Sequence, residues 1–230
     1  MTDISKNLEN IKKRIEAAAI KSGRASKDIT LIAVTKTYSP DAINEVIDLG
    51  VTDIGENKVQ EIIEKYDKVK PVRWHLIGHL QTNKVKYIID KVHMIHSVDS
   101  VRLMDEIDRQ AKKHGIDMNI LIQVNISGEE SKFGINSDEI DEILEHAKGL
   151  ENVKVCGLMT IIPKIDSMIS NRLHFVNIRQ IYIDISNKIY DNICMKYLSM
   201  GMSADFEMAI EEGSNMVRIG SAIFGERKYI

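Results

Sequence analysis

At 230 residues with a formal net charge of −3, the chain has the length of one large domain or two small ones and no global attraction for nucleic acid or anionic membrane. Hydrophobic residues at 43% and charged residues at 28% suit a globular protein, while aromatics at only 5% require an aliphatic core of Ile, Leu, Val and the 11 Met. The two cysteines, Cys156 and Cys194, lack metal-binding or redox spacing, no apolar run approaches the roughly 18 residues of a membrane span, and the N-terminus lacks the apolar centre of a signal peptide. A cytoplasmic protein with reduced thiols is expected.

Ile4, Leu8, Ile11 and Ile15 recur at helical spacing, which predicts an amphipathic helix stopped near Gly23 and laid over one end or side of the fold. Short apolar strands then alternate with amphipathic helices. A first strand over residues 30–35 runs into Lys36, and Ser39 and Pro40 supply the N-cap and first position of a helix stopped by Gly50. A strand over 51–54 leads through Gly55-Glu56-Asn57 to a helix ending at Tyr66, and a strand over 73–77 leads through Gly78-His79 to a helix ending near Asp90. Residues 94–98 form the fourth strand, with Asp99 as cap of a helix ending at Gly115. A fifth strand over 119–126 is followed by a glycine-bearing loop and by Asn136 and Glu139, spaced as a capping box. The strand at 153–160 precedes a loop and a long Ile-rich helix between Pro163 and Lys196. Strands at 196–200 and 216–219 flank a helix that ends before Gly213. Eight such units without a Pro/Gly/Ser linker predict an α/β fold: a single-domain (β/α)8 TIM barrel over residues 1–230 with an extra N-terminal helix.

In a barrel the carboxyl ends of the strands share one face, where ligands bind. The residues expected there are Lys36, Glu56 and Asn57, His79, Ser97 and Asp99, Asn125, Met159 and Thr160, Ser199 to Ser203, and Arg218 to Ser221. Lys36 ends a buried strand, where an amine loses charge readily and becomes a Schiff-base nucleophile. Ser199-Met200-Gly201-Met202-Ser203 reads as a turn opening a helix, and with Gly220-Ser221 it occupies the two loops that recurrently bind phosphate in such barrels. The alternative is that Ser203 merely caps its helix. Arg218, inside a strand, requires a partner, either a ligand atom or a carboxylate such as Glu207 or Glu211. The His75–His79 pair straddles a strand end without the helical geometry of a zinc motif, so no metal is expected; His75 belongs in the core and His79 at the ligand. Amine, phosphate cradle and strand-borne arginine together suit a phosphorylated aldehyde, and pyridoxal phosphate (PLP) fits all three.

The segments VTKTYSPDAINEVIDLGVTDIGENKVQE, WHLIGHLQTNK, VNISGEESKFGI, GLMTI and LSMGMSADFEMAIEEGSNMVRIGSAIFG resemble the pyridoxal phosphate homeostasis proteins, single-domain relatives of the alanine racemase barrel. The resemblance runs from Lys36 to Gly225 and departs from the family pattern after Pro163. It implies a covalent PLP imine on Lys36, phosphate loops at Ser199, Met200, Gly201, Met202 and Ser203 and at Gly220 and Ser221, and Arg218 facing the pyridine nitrogen. Asn57 and His79 match family positions lining the cofactor pocket, and Met159, at the end of the sixth strand, completes the expected cofactor-binding set. It further implies a non-catalytic carrier that buffers PLP or hands it to apo PLP-dependent enzymes. A monomer is expected, because the chain ends after its last strand without the second domain of the racemase. An amino-acid racemase or other PLP enzyme is the alternative, and a Schiff-base aldolase a third. Lys84 and Lys132 are nearby lysines for a second point of attachment.

Overall fold

The computed structural model describes residues 3–129, 133–163, 167–188 and 191–225. Eight parallel strands close into a barrel in sequence order: β1 (Thr30–Val34), β2 (Asp53–Glu56), β3 (Arg73–Leu76), β4 (Met94–Val98), β5 (Met118–Gln123), β6 (Val153–Met159), β7 (Ile193–Met202) and β8 (Met216–Ile219). The ring closes where β8 pairs with β1, Ile32 opposite Arg218 and Ala33 opposite Ile219. The expected TIM-barrel architecture is what the chain adopts.

The helices are α1 (Ile4–Lys21), α2 (Pro40–Asp48), α3 (Val59–Lys65), α4 (Val101–His114), α5 (Ile140–Ala147), α6 (Met168–Ser186), α7 (Phe206–Glu211) and α8 (Ser221–Phe224). The N-terminal helix buries Ile4, Leu8, Ile11 and Ile15 and packs on α7 and α8, held there by Arg14 bonded to Glu207 at 2.6 Å. It thereby shields the side of the barrel where the covering helices are shortest. A large aliphatic cluster fills the space between barrel and helices; a smaller one of Ile32, Met94, Leu121, Met159 and Met216 fills part of the interior.

Four local expectations are corrected. Between β3 and β4 the chain forms a 3-10 turn, Thr82–Tyr87, in place of an α-helix. Buried Val85 and Ile88 satisfy the three-residue period of that turn as well as they would a helix. Asp99 does not cap α4; Ser100 does, its hydroxyl accepting from Leu103 N. The second strand is shifted two residues along, so Glu56 ends the strand and is fully buried, tolerable because Lys65 pairs with it at 2.8 Å. The seventh strand continues to Met202, so Ser199 to Met202 are strand and not turn. The pairing with β8 is irregular there, and Gly201 takes a φ of +93°, which a side chain would resist.

Candidate functional site

Lys36 leaves β1 half-buried, followed by Thr37 at a φ of +70°, an uncommon conformation for a β-branched residue. The residues on both sides of Lys36 are pinned. Thr35 Oγ1 donates to Glu56 Oε1 at 2.7 Å, and Lys65 Nζ donates to Thr35 O at 3.0 Å. Thr37 N donates to Glu61 Oε2 at 2.7 Å. Lys65 also bonds Glu56 and Glu61, so one buried ammonium gathers β2 and α3 around the lysine's turn. Burial raises the Glu56 carboxyl above its ordinary value, although Lys65 and Thr35 pull it the other way.

In the same cavity as Lys36, the turn after β7 meets the turn after β8. Ser203 Oγ accepts from Gly220 N at 3.3 Å and from Ala222 N at 3.4 Å. It does not cap α7, whose N-cap is Asp205. Asp205 turns back to accept from Met202 N at 2.6 Å. A Cβ on Gly220 would lie 3.2 Å from Val34 Cβ and O, so the two amides open towards the end of β1 only because residue 220 has no side chain.

Arg218 is buried within the barrel, where Nη1 donates to Ser199 Oγ at 2.6 Å and Nη2 to Thr160 O at 2.9 Å. Neither Glu207 nor Glu211 pairs with it; these glutamates bind Arg14 and Lys21 instead. The guanidinium makes no salt bridge among the described residues, and burial lowers its pKa to about 10.

One cavity of about 240 Å³ brings together Lys36, Asn57, Met202, Ser203, Arg218, Gly220 and Ser221. His79 lies outside it, in a neighbouring cavity of about 440 Å³ that shares Asn57 as a wall and includes Lys84. There it stacks on Phe133 with ring centroids 3.9 Å apart, its Nδ1 lying 3.4 Å from Asp99. Ser199 stands behind Arg218, while Met159 packs in the interior cluster. Met200 packs in the cluster between barrel and helices, and a Cβ on Gly201 would strike Ala209 of α7. Lys132 falls outside the described residues. Ile77, Ile161 and Ala204 line the cavity without having been anticipated; only their places at strand ends or in a ligand loop marked them.

A match to the alanine racemase N-terminal domain covers residues 6–228. A pyridoxal phosphate homeostasis protein of Aquifex aeolicus is 43% identical over 224 residues, spanning 96% of this chain and 97% of the relative. One from Escherichia coli strain K12 is 39% identical over 234 residues, spanning 100% of this chain and 99% of the relative. Among solved structures, PipY of Synechococcus elongatus PCC7942 with PLP bound has a TM-score of 0.85 at 28% identity, covering 97% of this chain and 100% of that one. The barrel, its lysine-bearing turn and its full-length relatives agree: the chain belongs to the pyridoxal phosphate homeostasis proteins, a family built on the alanine racemase N-terminal domain.

Proposed function

We propose that this protein binds PLP in the cavity between Lys36 and the turns after β7 and β8, and that it serves intracellular PLP homeostasis as a carrier. The observation that carries the reading is the meeting, in one cavity, of an amine, a buried guanidinium with no salt bridge among the described residues and a serine hydroxyl oriented by two backbone amides. Lys36 holds the cofactor's aldehyde as an imine. The Ser203 hydroxyl, whose lone pairs are taken by the Gly220 and Ala222 N–H groups so that its own proton is left to donate, receives the phosphate together with the Ser221 hydroxyl. Arg218 faces its ring, and Asn57 closes the wall towards His79. When bound, PLP supplies an electrophilic aldehyde on an electron-withdrawing ring.

Carrier is favoured over racemase by what lines the cavity. Lys36 and Arg218 are the ionisable residues of its described lining. A guanidinium also cannot give a ring nitrogen a proton at neutral pH. No helix among the described residues is long and apolar enough to cross a membrane. The carrier acts in the cytoplasm as a monomer and passes PLP to apoenzymes.

The test is a visible spectrum of the purified protein titrated with PLP, followed by borohydride reduction and peptide mass mapping. A yellow protein with a pyridoxyl mass on Lys36 is the expected result. A protein that PLP cannot turn yellow overturns the reading and brings forward the sugar-phosphate aldolase. The phosphate assignment has its own check. Ser203→Ala is expected to weaken PLP binding by about five- to tenfold, the equivalent of roughly one hydrogen bond, without moving the absorbance maximum at saturation. Unchanged affinity would make Ser203 a structural link between the two turns.

A further inference from the structure

A line of buried polar side chains crosses the barrel interior from one mouth to the other. At the N-terminal mouth a cavity of about 560 Å³ is lined by Asp53 and Arg73 together with Lys12 and Lys27. Asp53 accepts from Arg73 at 2.6 and 2.7 Å and from Thr52 at 2.7 Å. Its Oδ1 lies 2.9 Å from His75 Nε2. His75 Nδ1 lies 2.9 Å from His96 Nε2, and His96 Nδ1 lies 3.1 Å from Ser199 Oγ. Ser199 in turn accepts from Arg218 in the C-terminal cavity. All of these except Arg73 and Thr52 are buried. None of the three connecting groups lines the PLP cavity.

With both imidazole rings neutral, the donor rules leave one consistent direction. A guanidinium only donates, so it occupies a lone pair of Ser199, whose own proton has His96 Nδ1 as partner. Burial holds His96 well below the ordinary histidine pKa, so its ring is neutral, and because Nδ1 takes the Ser199 proton the ring's own proton sits on Nε2. That proton goes to His75 Nδ1, and His75 Nε2–H goes to Asp53. Burial opposes ionisation of Asp53, but the hydrogen bonds from His75, Arg73 and Thr52 outweigh it and keep the carboxyl well below its usual range. Other charged or titratable groups facing the line are His93, edge-on to His75 at 5.6 Å, Tyr197 near Arg73, Lys196 near His93, and Asp205 near Arg218.

We propose that Asp53, His75, His96 and Ser199 form a one-directional hydrogen-bond relay through the barrel core, in which His75 and His96 are positioning residues for Arg218 and couple its placement to the Asp53–Arg73 pair at the opposite mouth. The tautomers follow from the contacts and from the neutrality of the two rings; the effect on PLP rests on the cofactor assignment above.

Long-range proton–nitrogen NMR of histidine-labelled protein without PLP reads the tautomers. Both His75 and His96 are expected as neutral Nε2–H rings, and an Nδ1–H ring or an imidazolium at either overturns the relay whatever the protein binds. His75→Phe keeps the bulk and removes the acceptor for His96. It is expected to give His96 mixed tautomers, to lower PLP affinity about five- to tenfold and to shift the imine absorbance. His75→Gln, whose amide can accept from His96 and donate to Asp53, is expected to restore all three. If His75→Phe leaves the His96 tautomer and the PLP spectrum unchanged, His75 is only a packed core residue and the coupling is refuted.

Discussion

Lys36→Ala is expected to abolish the imine absorbance of the PLP-loaded protein and all borohydride-stable labelling, while leaving the barrel folded. The amine is half-buried at the end of β1, in the same cavity as the turns that carry Ser203 and Gly220. Truncation removes the nucleophile, yet the apolar residues before it, Ile32, Ala33 and Val34, keep their places in the barrel. Stability without cofactor should therefore change by no more than about 0.5 kcal/mol, as for most substitutions away from a buried network. Saturating PLP raises the melting temperature of the unaltered protein by mass action, and this increment should shrink to what the serine hydroxyls and Arg218 supply without a covalent bond. Calorimetry with and without PLP, beside a visible spectrum, checks both parts. A variant that keeps the full band has its imine on another lysine, and Lys84 in the adjoining cavity is the first to map.

Lys65→Met carries the largest expected loss of stability. Lys65 is 8% exposed and donates to Thr35 O, Glu56 Oε1 and Glu61 Oε2 at 3.0, 2.8 and 2.7 Å, so all three of its protons are used. Methionine fills similar space but strands the Glu56 carboxylate, whose Oε2 has no hydrogen-bond partner among the described residues. Breaking a buried pair in this way costs about 3–5 kcal/mol. That is a large share of the roughly 5–15 kcal/mol that holds a domain together.

The loss should depend on pH with a definite sign. Burial already raises the Glu56 carboxyl, and removing Lys65 takes away its main opposing influence. A carboxyl with a raised folded-state pKa contributes stability that is complete below its unfolded value and lost as pH rises through its folded value. The deficit of the variant should thus be greatest near neutrality and should shrink on acidification towards the ordinary glutamate range. Asp53, held low by its donors, works in the opposite sense in both proteins and cancels in the comparison. Urea denaturation of both proteins across that range reads the difference. A pH-independent loss below about 1 kcal/mol would mean that the cluster is solvated and does not clamp the turn. Because the same cluster pins Thr35 and Thr37, PLP retention should fall in parallel.

Much of the site was legible because its signals are local. Lys36 follows an unbroken apolar strand and precedes a capped helix start, a pattern contained within ten residues. Arg218 was conspicuous as a charge inside a strand, and Gly220-Ser221 as the turn after the last strand, one of the two that bind phosphate in such barrels. Ser203 was harder. From sequence it is a plausible helix cap, and only the meeting of the turns after β7 and β8 shows its hydroxyl on the amides of residues 220 and 222. Glu56 was misplaced into a loop because a carboxylate in a strand core is expensive unless paired, and its partner Lys65 lies nine positions further along.

The amino-acid sequence by itself determined the eight strands, the aliphatic core and the places of Lys36 and Arg218, since each depends on periodicity or on a residue's immediate neighbours. Barrel closure decided the rest. In parallel strands buried on both faces, hydrophobic pattern does not reveal which residues point inward. Met159 and Met200 were therefore indistinguishable until one packed inside the barrel and the other against the helices. His75 and His96, likewise, became members of one line with Asp53, Ser199 and Arg218 only when five strands curved to face a common interior.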